Sequence, residues 1–134
     1  MKCDKAESEE SQVKIFYTDG AGQRPDGKGS GCAWVYVNKD IEQIKRVNGL
    51  TSNEAEYEAL IGVLRYVGRG SNVLIMTDSA LVSNQFNAKF RVKEPRLKQL
   101  LDEARKLVEE RDLEVEVRWI PREANLAGKL LDRN

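Results

Sequence analysis

Residues 76–85, MTDSALVSNQ, place a carboxylate where an apolar segment ends. The preceding residues 73–76 are continuously apolar, which is typical of a strand that is covered on both faces. Residues 79–86 can form a short helix that starts directly after Asp78. The stretch therefore predicts a strand-to-helix junction with Asp78 at the end of the strand.

A second stretch, FYTDGAG at residues 16–22, repeats this arrangement nearer the amino terminus. Residues 13–17 have strand composition, and Asp19 follows at the strand end, before a loop rich in glycine and proline. A charged side chain at the end of a buried strand is costly unless another group compensates its charge. The two aspartates therefore raise the question of what holds them there.

The segments between these stretches predict a meander followed by a helix. Residues 31–37 and 41–47 have strand composition with a turn between them, so the first three strands should be antiparallel neighbours. Thr51 and Glu54 form an S/T-x-x-E capping box, and apolar residues follow at helical spacing until Gly68. A helix between two strands favours a right-handed parallel crossover, which places the fourth strand beside the first.

The rest of the chain predicts further helices and a fifth strand. Pro95 opens a helix with the i, i+3, i+4, i+7 apolar stripe of a helix packed on a core. Residues 113–120 alternate as a strand, Pro121 ends it, and residues 125–132 form a final short helix. The predicted order is βββαβαβα. This is an α/β fold with a mixed five-stranded sheet, three antiparallel strands and then parallel ones, and helices packed on it.

Length and composition indicate one globular domain. Of the 134 residues, 40% are hydrophobic and 33% are charged. No apolar run reaches the roughly 20 residues that a membrane span needs. Residues 1–12 lack periodicity and are expected to form a disordered charged tail, with the folded domain at residues 13–134. Cys3 and Cys32 are expected to be free thiols in a cytoplasmic protein.

Charge and histidine content exclude several classes of function. The formal net charge is zero, which argues against a protein that binds nucleic acid by bulk electrostatics. Residues 89–98 nevertheless carry five cations against the single acid Glu94, a local patch that suits either phosphates or a solvated helix start. The chain has no histidine, which excludes histidine-based nucleophile relays and histidine-ligated zinc.

The two aspartates are expected to meet at one edge of the sheet. Neighbouring strands lie roughly 4.8 Å apart, so carboxylates at the ends of the first and fourth strands repel each other unless a cation lies between them. Carboxylate oxygens favour hard ions such as Mg²⁺ or Mn²⁺. The alternative is that Asp78 is only the N-cap of the helix that follows it.

A third acid can come from the first helix, where three glutamates compete. Glu54 is used in the capping box, and Glu58 lies on a different stripe of the helix. Glu56 shares a stripe with apolar residues such as Leu60, which turns it inward near the helix start. We therefore choose Glu56. The alternative is that Glu56 pairs with Asn53 in a second capping box.

Four motifs now stand in order along the chain: FYTDGAG, TSNEAEYEAL, MTDSALVSNQ and WIPREAN. Together they resemble type 1 ribonuclease H, particularly its compact archaeal and bacterial branch, over about residues 13–131. The resemblance implies the ribonuclease H fold and cleavage of the RNA strand of RNA–DNA hybrids to 5′-phosphate and 3′-hydroxyl products. It also implies that Asp19, Glu56 and Asp78 are the catalytic acids and bind two Mg²⁺ or Mn²⁺ ions.

The resemblance implies contacts with the hybrid as well. The residues expected to bind substrate are Gly20, Ala21, Ser52, Asn53, Ser79 and Arg122. A monomer with no membrane association and no obligate protein partner is expected. Trp34 and Trp119 could stack on nucleotides, but their strand positions favour packing in the core.

One position departs from the family pattern. In NLAGKLL, residues 125–131, Lys129 occupies the place where the family has its fourth acid. Asp132 lies one turn later on the same helix face, and we prefer it as the additional metal ligand beside the three acids. Glu123 from the preceding loop, or three acids with a water in the fourth place, are the alternatives.

Two other functions stay open at this point. Lys129 motivates a catalytically weakened or silent ribonuclease H-like domain that binds hybrids without cutting them. An unrelated α/β phosphotransfer domain would also use Asp19 and Asp78, but it gives no reason for Glu56. Sequence does not decide between Mg²⁺ and Mn²⁺.

Overall fold

A computed structural model describes residues 12–25, 27, 29–89 and 91–133. Nearly all of the predicted tail, residues 1–11, lies outside this part of the chain, as does Cys3. Short 3₁₀ turns occur at Val37–Lys39 and Arg122–Ala124. The strands and helices are β1 (Lys14–Ala21), β2 (Ser30–Tyr36), β3 (Ile41–Val47), α1 (Ser52–Tyr66), β4 (Asn72–Thr77), α2 (Ala80–Phe86), α3 (Pro95–Glu110), β5 (Glu114–Trp119) and α4 (Leu126–Arg133).

The strands form one mixed sheet in the order β3-β2-β1-β4-β5. β1, β2 and β3 are antiparallel neighbours, and β4 lies parallel between β1 and β5, so the predicted topology is confirmed. Two helices, α2 and α3, lie between β4 and β5, so the observed order is βββαβααβα. Both segments were predicted as helices, but the predicted order βββαβαβα counted only one of them. The parallel register pairs Thr18 with Thr77, so the residues that follow these two emerge next to each other.

Helices cover both faces of the sheet. On one face, α1 and α3 enclose a large core that includes Phe16, Tyr57 and Leu100. On the other face, Leu130 and Leu131 of α4 pack against β2 in a smaller cluster. One face of β4 is buried and the other is only partly buried, so the predicted full coverage of β4 is wrong. No helix of the described residues is long and apolar enough to cross a membrane.

The capping box at the start of α1 forms as predicted. The Thr51 hydroxyl accepts a hydrogen bond from the Glu54 amide at 3.1 Å, and the Glu54 carboxylate accepts one from the Thr51 amide at 2.8 Å. Glu54 is therefore committed to the helix end. Glu56, two residues later, is not used by this cap.

Strand β1 is longer than its predicted residues 13–17. Its parallel pairing with β4 ends at Thr18, but its antiparallel pairing with β2 continues to Ala21. Asp19 therefore lies inside β1, paired with Ala33, and not after the strand end. The antiparallel neighbour holds the Asp19 backbone in an extended conformation beyond the end of β4.

Gly20 allows β1 to pass directly against the first turns of α1. A β-carbon at Gly20 would overlap the backbone of Ala55 and Glu56. Only glycine fits this approach, and the approach brings Asp19 close to Glu56.

We expect Gly20→Ala to destabilise the protein by roughly 2–3 kcal/mol, because α1 has to move away from β1. Urea unfolding measures the loss. Gly68→Ala is the matched control, since a β-carbon at Gly68 meets nothing within 4 Å. Equal stabilities of the two variants would contradict the close approach at Gly20.

Candidate active site

Three carboxylates converge at the carboxyl end of the two central strands. Asp19 comes from β1, Asp78 from the residue after β4, and Glu56 from the second turn of α1. One oxygen of each side chain lies within 4.8 Å of one oxygen of the other two. The structure therefore brings together the three acids that the sequence singled out.

The cluster is largely shielded from water. Asp19 is 2% exposed, and the side chain of Asp78 is 7% exposed. One oxygen of each of the three carboxylates is buried and has no hydrogen-bond partner among the described residues. Buried carboxylate oxygens without a donor are costly, and their hard oxygen ligands suit a divalent ion such as Mg²⁺ or Mn²⁺. The cluster therefore fits such an ion.

The raised pKa values of Asp19 and Glu56 also support binding of a divalent ion by the cluster. Burial, and next the Asp78 carboxylate, raises the pKa of Asp19 to about 6. Burial, and next the carboxylates of Asp19 and Asp78, raises the pKa of Glu56 to about 9. The Gly20 amide and the Arg122 guanidinium lower both pKa values in part. Without a cation, the three acids cannot all ionise at neutral pH at low cost.

Ser79, and not Asp78, is the N-cap of α2. The Ser79 hydroxyl accepts a hydrogen bond from the Val82 amide at 3.1 Å. The interpretation of Asp78 as a simple helix cap is therefore wrong. The Asp78 carboxylate does not cap the helix and belongs to the three-acid cluster.

Arg122 links the cluster to Asp132. One guanidinium nitrogen lies 3.8 Å from Asp78 Oδ2, and the other lies 3.8 Å from Asp132 Oδ2. Both distances are ion-pair contacts that are too long for hydrogen bonds. The Asp132 side chain is 64% exposed and does not belong to the three-acid group. Lys129 and Glu123 are both exposed, so neither replaces the missing fourth acid inside the cluster.

Asn125 positions α4 against the cluster, a role that the sequence analysis missed. The side chain is fully buried, its amide donates to the Thr18 carbonyl at 2.9 Å, and its oxygen accepts from the Ala127 amide at 3.0 Å. A β-carbon at Gly128 would lie 3.4 Å from Asp19 Oδ2, so the start of α4 lies directly beside Asp19. The signal was an asparagine at the start of a predicted helix, because asparagine is a preferred N-cap residue.

Asn125→Ala is expected to destabilise the protein by roughly 2–3 kcal/mol, because it leaves a buried carbonyl and a helix amide unpaired. Asn38→Ala is the matched control. Asn38 also makes two hydrogen bonds to backbone groups, but it is exposed and water can replace them. Chemical unfolding of both variants measures the difference, and an equal loss in both would show that the burial of Asn125 does not matter.

The predicted substrate-binding residues surround the acids along the chain. Gly20 and Ala21 follow Asp19 in β1, while Ser52 and Asn53 lie exposed in the first turn of α1. Ser79 is partly exposed directly after Asp78.

The two tryptophans differ in environment. Trp34 is 7% exposed in the core, as predicted. Trp119 is 51% exposed, so its predicted core packing is wrong. It is the last residue of β5, an edge strand of the sheet. Its indole Nε1 donates a hydrogen bond to the Asp78 carbonyl at 3.1 Å.

The basic stretch at residues 89–98 is partly neutralised by acids from elsewhere. Arg96 lies 3.4 Å from Glu54 in α1, and Lys98 lies 3.4 Å from Asp102 in α3. Lys89 and Arg91 line a shallow cleft of about 360 Å³. These two cations are exposed on the α2–α3 side of the molecule.

Comparisons with known proteins identify the family. A family model described as reverse transcriptase-like matches residues 18–131, a range that contains all three acids. The crystal structure of LC11 ribonuclease H1 in complex with an RNA/DNA hybrid is 30% identical, covers 88% of this chain and 92% of its own, and has a TM-score of 0.74. The chain belongs to the ribonuclease H family. A second structure of LC11 ribonuclease H1, from compost, has a TM-score of 0.77.

Two further proteins that are similar to this chain support its membership of the ribonuclease H family. Ribonuclease H1 of the halophilic archaeon Halobacterium salinarum is 27% identical, covers 91% of this chain and 99% of its own, and has a TM-score of 0.74. A ribonuclease H of Caldicellulosiruptor saccharolyticus is 32% identical over 75 residues, which are 54% of this chain and 51% of that protein. The match thus spans about half the length of this curated relative.

Proposed function

We propose that this ribonuclease H is a metal-dependent endonuclease that hydrolyses the RNA strand of RNA–DNA hybrids. The observation that carries the proposal is the group of three carboxylates, each with one buried oxygen that accepts no hydrogen bond, in a chain of this family. The similar LC11 protein was crystallised with an RNA/DNA hybrid, which supports the same substrate class for this chain. The expected products have 5′-phosphate and 3′-hydroxyl ends.

Asp19, Glu56 and Asp78 are the residues that would hold two Mg²⁺ or Mn²⁺ ions. When bound, such ions lower the pKa of an attacking water and neutralise charge on the leaving oxygen of a phosphodiester. The chain contributes a rigid frame for this chemistry. Asp19 and Asp78 are fixed by the β1–β4 register, and Glu56 is fixed by the contact of α1 with Gly20.

Arg122 is proposed to contact the substrate phosphate. Its side chain is 65% exposed and lies beside Asp78, and its two ion-pair contacts of 3.8 Å are too long to use its N–H groups, which can therefore donate to a phosphate oxygen. Asp132 orients Arg122 through the ion pair between them. We propose that Asp132 takes the place of the family's fourth acid, at the rim of the cluster.

The remaining predicted contacts suit the minor groove of a hybrid. Ser52 and Asn53 present polar side chains at the exposed start of α1, where they can reach 2′-hydroxyl groups and base edges. The Ser79 hydroxyl accepts a bond from α2 and still has its own proton to donate. Gly20 and Ala21, which follow Asp19, are proposed to offer backbone amides close to the RNA strand.

The silent hybrid-binding domain is the alternative function, and the position of Lys129 bears on it. Lys129 is exposed, and the three-acid group is complete without that position. This arrangement favours a working site. The choice between Mg²⁺ and Mn²⁺, the monomeric state and the cytoplasmic setting stay predictions.

A cleavage assay with the purified protein tests the proposal. The RNA strand of a labelled RNA–DNA hybrid should be cut in the presence of Mg²⁺ or Mn²⁺, and cutting should stop when EDTA is added. Single-stranded RNA and duplex DNA of the same sequence are the control substrates and should stay intact. Binding of the hybrid without any cleavage in either metal would support the silent domain instead.

A further inference from the structure

Trp119 lies next to the acid cluster, and packing of the core does not explain its exposed position. It is the last residue of β5 and pairs with Thr77, the residue before Asp78. Two hydrogen bonds hold this corner: the Ile120 amide donates to the Thr77 carbonyl at 2.8 Å, and the Trp119 indole donates to the Asp78 carbonyl at 3.1 Å. The indole is therefore attached to the backbone of a cluster residue.

The hydrogen bond fixes the ring with much of its surface in water. Trp119 is 51% exposed, the largest value among the exposed large hydrophobic residues that the structure describes. Residues 115, 117 and 119 point to the same side of β5, and Val117 is buried while Trp119 is not. A single exposed apolar residue is ordinary on a protein surface. An indole that is tethered beside a catalytic carboxylate is a specific arrangement.

Trp119 and Arg122 contact different groups of Asp78. The guanidinium lies 3.8 Å from its carboxylate, and the indole is bonded to its carbonyl. A cation beside an exposed aromatic ring is the combination with which proteins bind the phosphate and the base or sugar of one nucleotide. Both side chains are exposed.

We propose that Trp119 is a substrate-binding residue of this site, and that its indole packs against the sugar of a nucleotide next to the scissile phosphate. This inference rests on the proposed function, because it takes the hybrid to lie over the three acids. Contacts to the sugar carry no sequence information, so this one adds affinity without sequence preference. Its indole N–H also helps to position the Asp78 backbone.

Kinetics of two variants separate the two contributions. Trp119→Phe and Trp119→Ala both lack the indole N–H, so a difference between them reports on the ring. We expect Trp119→Ala to raise KM by roughly 5- to 100-fold and Trp119→Phe to keep KM near the wild-type value. Tyr66→Ala, which removes another half-exposed aromatic ring at the far end of α1, is the control and should leave KM unchanged. Wild-type KM in both Trp119 variants, or a fall in kcat alone, would overturn the proposal.

Fluorescence gives a test that does not depend on cleavage. The sequence has two tryptophans, so Trp34→Phe leaves Trp119 as the only one. Addition of a short RNA–DNA hybrid in EDTA should shift or quench its emission in step with binding, measured by the anisotropy of the labelled hybrid. If the wild type cuts no hybrid but the Trp119 emission changes on binding, the proposed hydrolysis is wrong and the proposed contact of Trp119 with the hybrid is supported. Saturated binding with unchanged emission overturns the contact and leaves the proposed function intact.

Discussion

Asp78→Asn should reduce cleavage of the RNA strand by roughly three orders of magnitude, about 4 kcal/mol of transition-state stabilisation. Asparagine keeps the size of the side chain but removes the charge that the cluster needs to hold a divalent ion. Hybrid binding depends on other residues and should change little. Single-turnover cleavage and anisotropy of a labelled hybrid measure the two effects separately.

Asp102→Asn is the matched control for this loss. Asp102 is exposed on α3 and pairs with Lys98, so its replacement removes the same charge away from the cluster. Its cleavage rate should equal that of the wild type. Comparable cleavage by Asp78→Asn and the wild type would show that the acid cluster does not perform the chemistry.

The second large effect concerns stability without metal. The pKa of Glu56 is raised from 4.5 to about 9, so the folded protein retains a proton that the unfolded chain releases. This stabilising contribution is full below about pH 4.5 and is lost as pH rises through 9. Asp19 adds the same trend between pH 3.8 and about 6. The metal-free protein should therefore lose stability as pH rises across this range.

Glu56→Gln should remove most of this loss. We expect the metal-free variant at pH 8 to be more stable than the wild type by a few kcal/mol, a rise in Tm of roughly 5–15 °C. Mg²⁺ or Mn²⁺ should stabilise the wild type at pH 8 and not the variant. Thermal unfolding in EDTA at pH 5 and pH 8 measures both effects.

Glu116→Gln is the control for the stability measurement. Glu116 is an exposed residue of β5 that pairs with Arg118, and its replacement should leave the pH dependence as in the wild type. A metal-free Glu56→Gln variant that is less stable than the wild type at pH 8 would contradict the raised pKa of Glu56.

Much of the fold follows from local sequence features. The capping box at Thr51, the proline that opens α3 and the alternation of β5 each have a direct physical cause, and each appears where it was expected. The convergence of Asp19 and Asp78 follows from the parallel pairing of β1 and β4. The inward position of Glu56 follows from the apolar stripe of α1.

Other features depend on contacts between distant segments. The length of β1 is set by its pairing with β2, and the exposure of Trp119 depends on which other segments pack over the end of β5. The role of Asn125 needs the Thr18 carbonyl, 107 residues away in the chain. The ion pairs of Arg122 need the turn before α4. Periodicity and propensity report on one segment at a time, so they do not reveal these relations.

Calorimetric titration with Mn²⁺ tests most directly whether the three carboxylates hold divalent ions together. The wild type should bind Mn²⁺ saturably, and Asp19→Asn, Glu56→Gln and Asp78→Asn should each weaken or abolish that binding, while Asp102→Asn should leave it unchanged. Wild-type Mn²⁺ affinity in all three cluster variants, or no saturable binding by the wild type, would contradict a shared metal site.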